Sequence, residues 1–251
     1  MSKIGVIIQA RTGSTRLPNK VVLPFYNESS ILDILIQKLL YFKDRYKIVL
    51  ATTDAQEDKI LVDLAKKYGI AYYVGDQLDV LQRFIEAAAE FNIDTIVRIC
   101  SDNPFLDTGF IQDLIEYFKR HSGLDYLSFK NHNGTPAIKT HLGLFAEIVT
   151  LDALKRVQQQ TNEKLYKEHV TNFVYGNPND FKVHLLKMPD YLVQRDDLRF
   201  TIDDPDDFRN LTELYTHYID NDHDMSSIIE HIDQDSNTKK MMISNIKKYE
   251  K

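Results

Sequence analysis

Three short stretches of this 251-residue chain carry side chains whose type and spacing suit phosphate chemistry. The first, Arg11-Thr-Gly-Ser-Thr-Arg16-Leu-Pro-Asn-Lys20, puts three cations within ten residues. Gly13, Ser14 and Thr15 lie between them, so backbone N–H groups and hydroxyls can wrap a polyphosphate while the cations neutralise it. The G-x-x-x-x-G-K-[ST] order of a Walker loop is absent. A solvated basic turn is the plain alternative. What favours binding is position, because the loop follows the first apolar run, where open α/β sheets hold their ligands.

The second stretch is Arg98-Ile-Cys-Ser-Asp102-Asn-Pro104-Phe-Leu-Asp107. A carboxylate just past a buried strand, followed by a proline-fixed turn, suits a hard cation such as Mg²⁺, which takes few carboxylates and completes its shell with water and phosphate oxygens. Asp107 reads as a helix cap, whereas Asp102 stands too far upstream for that. The third stretch, Phe200-Thr-Ile-Asp203-Asp204-Pro205-Asp206-Asp207, sets four carboxylates around one proline. Negative charge at a helix N-terminus explains Asp206 and Asp207. It explains Asp203 less well, since Asp203 ends a predicted strand. Two strand-end carboxylates and a cationic loop in one crevice would suit a metal–nucleotide complex.

These groups must be positioned by a scaffold, and the apolar spacing supplies one. Runs at Ile4–Ala10, Lys47–Thr53, Ala71–Gly75, Asp94–Cys100 and Asp125–Phe129 read as strands. Between them lie helical patterns at Ile31–Phe42, with Ser30 and Asp33 as a capping box, and at Asp58–Tyr68, Val80–Phe91 and Phe110–His121. Asp76 and Asp79 are read as caps for the helix at Val80. This alternation predicts a doubly wound, mostly parallel, Rossmann-like α/β sheet. Beyond residue 130 the rhythm loosens. A polar loop Lys130–His141 precedes strands at Gly143–Val149, Phe181–Met188 and Leu198–Ile202, and helices at Leu151–Gln160, Glu163–Tyr175, Asp206–Ile219 and Met225–Ile232. With no repeat or linker, residues 1–251 read as a single domain carrying a substrate or dimerisation segment at about 130–197.

Composition narrows the function class. Against 37 Asp+Glu stand 31 Lys+Arg, a net charge of −6, which disfavours nonspecific nucleic-acid or membrane binding. The single cysteine, Cys100, excludes an intrachain disulfide framework, and no apolar run approaches the ~18 residues of a membrane span. A cytoplasmic protein is expected.

Taken in order, the stretches IIQARTGSTRLPNKVV (7–22), LATTD (50–54), GDQLDVLQRF (75–84), VRICSDNPFLD (97–107), YKEHVTNFVYGNP (166–178) and LRFTIDDPDDF (198–208) resemble the nucleotide-sugar cytidylyltransferases, the CMP-Kdo and CMP-sialate synthetase group, and most closely the SpsF type of surface polysaccharide biosynthesis. No motif covers the segment from about Met225. The resemblance implies the nucleotide-diphospho-sugar transferase fold. It also implies transfer of CMP from CTP to an acidic or phosphorylated sugar-like acceptor, with release of pyrophosphate. By the same resemblance, Gln9, Ala10, Arg11, Gly13, Ser14, Arg16 and Lys20 hold the nucleotide, with Thr52 and Thr53 (next to Ala51), Arg83 and Arg98 nearby. Asp102 and Asp203 would hold Mg²⁺, and Arg11, Lys20, Asp102 and Asp203 form the catalytic set. Gly143, Glu147, Glu168 and His169 match acceptor-side positions, although a helical histidine is also a common structural residue. A homodimer is implied by the resemblance alone. The alternative enzyme class is a GT-A-type glycosyltransferase, which binds a sugar nucleotide on a similar sheet but has less need of so many cations. A noncatalytic binding protein on the same fold is a further alternative, disfavoured because all the proposed cations and carboxylates are present.

Overall fold

A computed structural model describes residues 3–220 and 224–249. Its centre is a seven-stranded sheet made of β1 (Ile4–Gln9), β4 (Lys47–Thr53), β5 (Ala71–Gly75), β6 (Thr95–Cys100), β7 (Tyr126–Lys130), β8 (Glu147–Thr150) and β9 (Val183–Lys187). The spatial order is β5-β4-β1-β6-β8-β7-β9. β8 alone runs antiparallel to its sheet neighbours; the other pairings are parallel.

The inner strands are apolar on both sides because both sides are covered. Val6 and Ile8 of β1 join Ile48, Leu50, Val97 and Ile99 in one core, and Ile7 joins Val49, Ala51 and Ile96 in the other. The first core is closed by α1 (Ile31–Leu39), α2 (Lys59–Lys67), α4 (Thr108–Arg120) and α8 (Pro205–Asp220). The second is closed by α3 (Val80–Glu90), α5 (Leu151–Gln160) and α7 (Asn172–Gly176). Alternate side chains of one strand thus feed two layers, as a doubly wound sheet requires. From β1 the chain builds outward through β4 to β5, then crosses to β6 on the other side of β1. That reversal opens a crevice at the carboxyl ends of β1 and β6.

Local signals behave as the sequence suggests in the first half. Ser30 Oγ accepts from the Asp33 N–H at 3.1 Å, and Asp33 returns a bond to the Ser30 N–H. Burial opposes charge on Asp33, but bonds from Lys67, Ser30 and Tyr68 outweigh it and hold its pKa at about 2. Asp107 caps α4, and Asp79 caps α3.

The second half differs in several places. Leu198–Ile202 is extended but adds no strand to the sheet; it crosses the carboxyl ends of the strands, with Phe200 N–H on the His141 carbonyl (2.9 Å) and Ile202 N–H on the Asp102 carbonyl (3.1 Å). The helix expected over Glu163–Tyr175 is broken into α6 (Lys164–Glu168) and α7, because the chain turns at His169–Thr171 to send the Thr171 hydroxyl onto Glu147. The strand expected at Gly143–Val149 begins only at Glu147. Gly143 itself sits at φ +61°, and a Cβ there would lie 2.9 Å from the Phe200 carbonyl oxygen.

Two further elements were not legible in the pattern, and a third is expected only as a solvated helix face carrying Lys239, Lys240, Lys247 and Lys248. β2 (Pro24–Tyr26) and β3 (Ser29–Ser30) form a hairpin whose turn residues Asn27 and Glu28 both adopt positive φ. After α9 (Met225–Gln234) comes α10 (Ser236–Lys248), capped by Asp235. No helix among the described residues is long and apolar enough to cross a membrane.

Candidate active site

The Arg11–Lys20 loop leaves β1 at the crevice and folds back on itself, with the Thr12 carbonyl accepting from the N–H groups of Ser14 (2.8 Å) and Asn19 (2.9 Å). Its root is fixed by a residue that sequence reasoning passed over. One oxygen of Asp58 accepts from the Thr12 N–H (2.7 Å) and hydroxyl (2.6 Å), and the other accepts from the Thr53 hydroxyl. Asp58 resembles an ordinary residue at a helix start, so spacing gave no sign that it staples the loop to the end of β4.

From that root the cations reach the two predicted aspartates. Lys20 Nζ lies 3.3 Å from Asp102 Oδ2 and donates to the Ile202 carbonyl at 2.5 Å. Arg16 Nη2 donates to Asp203 Oδ1 at 2.7 Å. The loop, the end of β6 and the segment before α8 therefore converge, although they lie far apart in the sequence. Arg11 reaches across to Glu168 of α6 at 3.4 Å, an exposed pair that contributes little to stability.

Asp203 is held from behind by Arg199, the residue just before the third stretch, which was not singled out. Arg199 is 1% exposed. Its Nη2 donates to Asp203 Oδ2 (2.8 Å) and Asp207 Oδ2 (2.6 Å), its Nε to Asp207 Oδ1 (2.7 Å), and its Nη1 bonds His141 Nδ1. Burial opposes the guanidinium's charge, but Asp207 and Asp203 outweigh it and raise its pKa. The four carboxylates thus separate by role. Asp204 accepts from the N–H groups of Asp206 and Asp207 at the start of α8, Asp206 pairs with Arg209, and Asp207 is buried on Arg199.

The space in front is a cleft of about 690 Å³. Gln9, Arg11, Ser14, Arg16, Lys20 and Arg98 line it together with Asp102, Asp203, Gly143, Glu168 and His169. Tyr175 also faces the cleft; burial, then nearby Glu147, pushes its phenol up to about 12, so it stays an O–H donor.

Other expected residues stand behind the walls. Ala10 is buried just ahead of the loop and Gly13 is exposed within it, and neither lines the cleft. Thr53 is engaged by Asp58, and Thr52 is fully buried with its hydroxyl unpartnered. Arg83 is also fully buried, with Nη1 on the Asp76 carbonyl (2.9 Å) and neither Nε nor Nη2 partnered. Burial, then the like charge of Arg11, lowers its pKa. Glu147 requires a correction. At 2% exposure it does not line the cleft; register places it opposite Arg98 in the antiparallel β6–β8 pair. There Arg98 Nη1, the Tyr126 hydroxyl and Thr171 Oγ1 occupy its oxygens. Burial opposes charge on Arg98, yet the Cys100 sulfur and Glu147 beside it raise its pKa overall.

A family model described as cytidylyltransferase matches residues 5–240. The chain belongs to the cytidylyltransferase family. It is 40% identical to an uncharacterised protein of Methanocaldococcus jannaschii over 94% of this chain and 93% of that relative. It is 33% identical to the spore coat polysaccharide biosynthesis protein SpsF of Bacillus subtilis, over 86% of this chain and 87% of the relative. Among solved structures, a cytidylyltransferase from Leptospira borgpetersenii superposes with TM-score 0.81 at 30% identity, covering 95% of this chain and 97% of that one. This cytidylyltransferase is accordingly a nucleotidyltransferase, and the GT-A glycosyltransferase and noncatalytic alternatives fall away.

One more residue of the cytidylyltransferase bears on Asp102. Lys38 of α1 lies beneath the turn that follows it, donating to the carbonyls of Pro104 (2.8 Å) and Leu106 (3.2 Å). Burial pulls its pKa down to about 8, only partly offset by Asp107. The ordinary value is 10.5, so between pH 8 and 10.5 the unfolded chain binds more protons at this site than the folded one, and stability gains with rising pH. Urea midpoints for the protein, measured relative to Lys38→Met, are expected to rise between pH 7.5 and roughly 10. A flat difference would mean that Lys38 is ordinarily solvated.

Proposed function

We propose that this cytidylyltransferase transfers CMP from CTP to an acidic or phosphorylated sugar-like acceptor, releasing pyrophosphate, in cytoplasmic synthesis of a surface polysaccharide precursor. The observation that carries the reading is the meeting of Lys20 with Asp102 and Arg16 with Asp203 at the carboxyl ends of β1 and β6. The likeness to SpsF supports the polysaccharide setting. The acceptor assignment draws on the segment at about 130–197, whose Gly143, Glu168 and His169 line the same cleft as the loop, with Glu168 in reach of Arg11.

In this mechanism an acceptor oxygen attacks the α-phosphorus of CTP as the bond to the β-phosphate oxygen breaks, and the electron pair leaves with pyrophosphate. Arg11, Arg16 and Lys20 hold the triphosphate and offset charge on the α-phosphate and the departing group. Loop and sheet fix the reacting atoms in line, and Arg98 holds Gln9 (3.1 Å) against the floor. Among the described residues no group of three or more His, Cys, Asp or Glu could hold a metal unaided. Two carboxylates beside a phosphate loop fit Mg²⁺, which takes few ligands from the protein. Asp102 and Asp203 would hold the ion, which when bound polarises the phosphate and lowers the acceptor's pKa. With both bound, Asp102 and Asp203 would turn to the metal and Lys20 and Arg16 to the triphosphate, so neither side of the two pairs is left without a counter-charge.

The test is a pyrophosphate-release screen crossing four nucleoside triphosphates with acidic and phosphorylated sugars in the presence of Mg²⁺. Signal is expected only with CTP and an acceptor together; release with no combination overturns the reading. Lys20→Ala is expected to weaken CTP binding and slow transfer together, each by roughly tenfold or more. Unchanged kinetics would return Lys20 to a purely structural contact.

A further inference from the structure

The last turn of α10 lies outside the family match, which ends at residue 240, yet it reaches the active-site loop. Asn245 Nδ2 donates to Asp207 (2.8 Å), Lys248 Nζ to Asp204 Oδ2 (2.7 Å), and the Tyr249 hydroxyl to the same Asp204 oxygen (2.8 Å). These three bonds to the start of α8 fix the end of the helix beside the cleft.

So fixed, the Tyr249 ring gathers cations. The Arg16 guanidinium carbon lies 4.6 Å from the ring centroid, Lys248 Nζ 4.9 Å and the Arg199 carbon 5.3 Å. Arg16 has a side chain 49% exposed, and its other contact here is Asp203. A ring attracts a guanidinium through its π face and uses none of the N–H donors. Arg16 can therefore turn those donors to phosphate while staying on the ring, which a carboxylate partner would not allow.

We propose that Tyr249 is a positioning residue for nucleotide binding, holding the Arg16 guanidinium at the cleft mouth so that the C-terminal helix completes the phosphate loop. The inference rests on the reading of Arg11–Lys20 as the triphosphate-binding loop. Without the ring, the long Arg16 side chain must lose its rotamer freedom at the moment of binding, which weakens affinity for phosphate in particular.

Calorimetric titration of the full chain with CTP and, separately, with inorganic triphosphate tests this. Tyr249→Leu is expected to weaken both by roughly three- to tenfold, the range of one partly exposed cation–π contact. Tyr249→Phe, which loses the Asp204 bond but keeps the ring, should bind both within about twofold of the wild type. In an Arg16→Ala background, Tyr249→Leu should have no further effect. Loss of affinity in the Phe variant equal to that in the Leu variant would show that the anchor matters and not the ring, overturning the proposal. So would a Leu variant that binds like the wild type, or a loss that persists without Arg16. A wild-type protein that binds neither ligand overturns the triphosphate reading itself, and the role of Tyr249 falls with it.

Discussion

Asp203→Asn is expected to lower the rate of pyrophosphate release by at least ~10²-fold at saturating CTP, with little change in melting temperature. The two halves of that expectation have separate causes. The substitution keeps the shape of the side chain and one oxygen able to accept from Arg16 or Arg199. Arg199 also keeps both Asp207 oxygens and His141, so its buried charge remains compensated. What disappears is a negative charge at the point where the proposed metal and the departing phosphates must be balanced. Removing a single electrostatic stabiliser from a preorganised site costs roughly 3–4 kcal/mol of the activation barrier, which is a factor of 10² to 10³ in rate. Stopped or coupled pyrophosphate assays read the first half and a melting curve the second. Near-normal release would remove Asp203 from the chemistry and leave it as a tether for Arg16.

The distinction between Asp203 and its neighbours shows how far the sequence could be read. The strand β1 was legible because an unbroken apolar run can only be covered on both sides, and the loop after it because three cations stand out in an acidic chain. Asp102 and Asp203 were legible as carboxylates that no helix start explained. The residues behind them were not. Arg199 and Asp58 act through buried bonds to partners 4 to 58 residues away, as with Asp203 and His141 for Arg199 and Thr12 for Asp58. Periodicity records which face of an element is apolar, and it carries no information on which polar groups will meet across layers. The same limit explains Glu147. Its place in the family pattern suggested an acceptor contact, but the reversed direction of β8 sets it opposite Arg98 in the ladder. α10 is legible only as a solvated helix face bearing Lys239, Lys240, Lys247 and Lys248, because its apolar residues Met241, Met242, Ile243 and Ile246 are interleaved with Ser, Asn and Lys and form no clear stripe; Lys239 and Lys248 are in fact paired with carboxylates. Its hold on the fold combines buried Met242 in the core, the Asn245 bond to Asp207 and the Lys239 pairs to Asp197 and Asp233.

The buried Arg98–Glu147 pair supports the second large effect. Arg98→Leu is expected to destabilise the protein by about 3–5 kcal/mol, because it leaves a carboxylate 2% exposed with only the Tyr126 and Thr171 hydroxyls as partners. For a chain of this size that corresponds to a fall in melting temperature on the order of 10 °C. The double variant Arg98→Leu with Glu147→Leu removes both charges, and replacing a buried pair by apolar side chains is often close to neutral. Most of the lost stability should therefore return, short of the amount that the orphaned Tyr126 and Thr171 hydroxyls and Gln9 side chain retain. Activity should not return with it. Arg98 lines the cleft and holds Gln9, whereas Glu147 touches neither, so a refolded double variant still lacks its cation on the cleft floor. Melting temperature and pyrophosphate release measured on the same two variants separate the roles. Recovery of both would make Arg98 a counter-ion for Glu147 and nothing more; recovery of stability alone would show that Glu147 is there to hold an arginine the reaction needs.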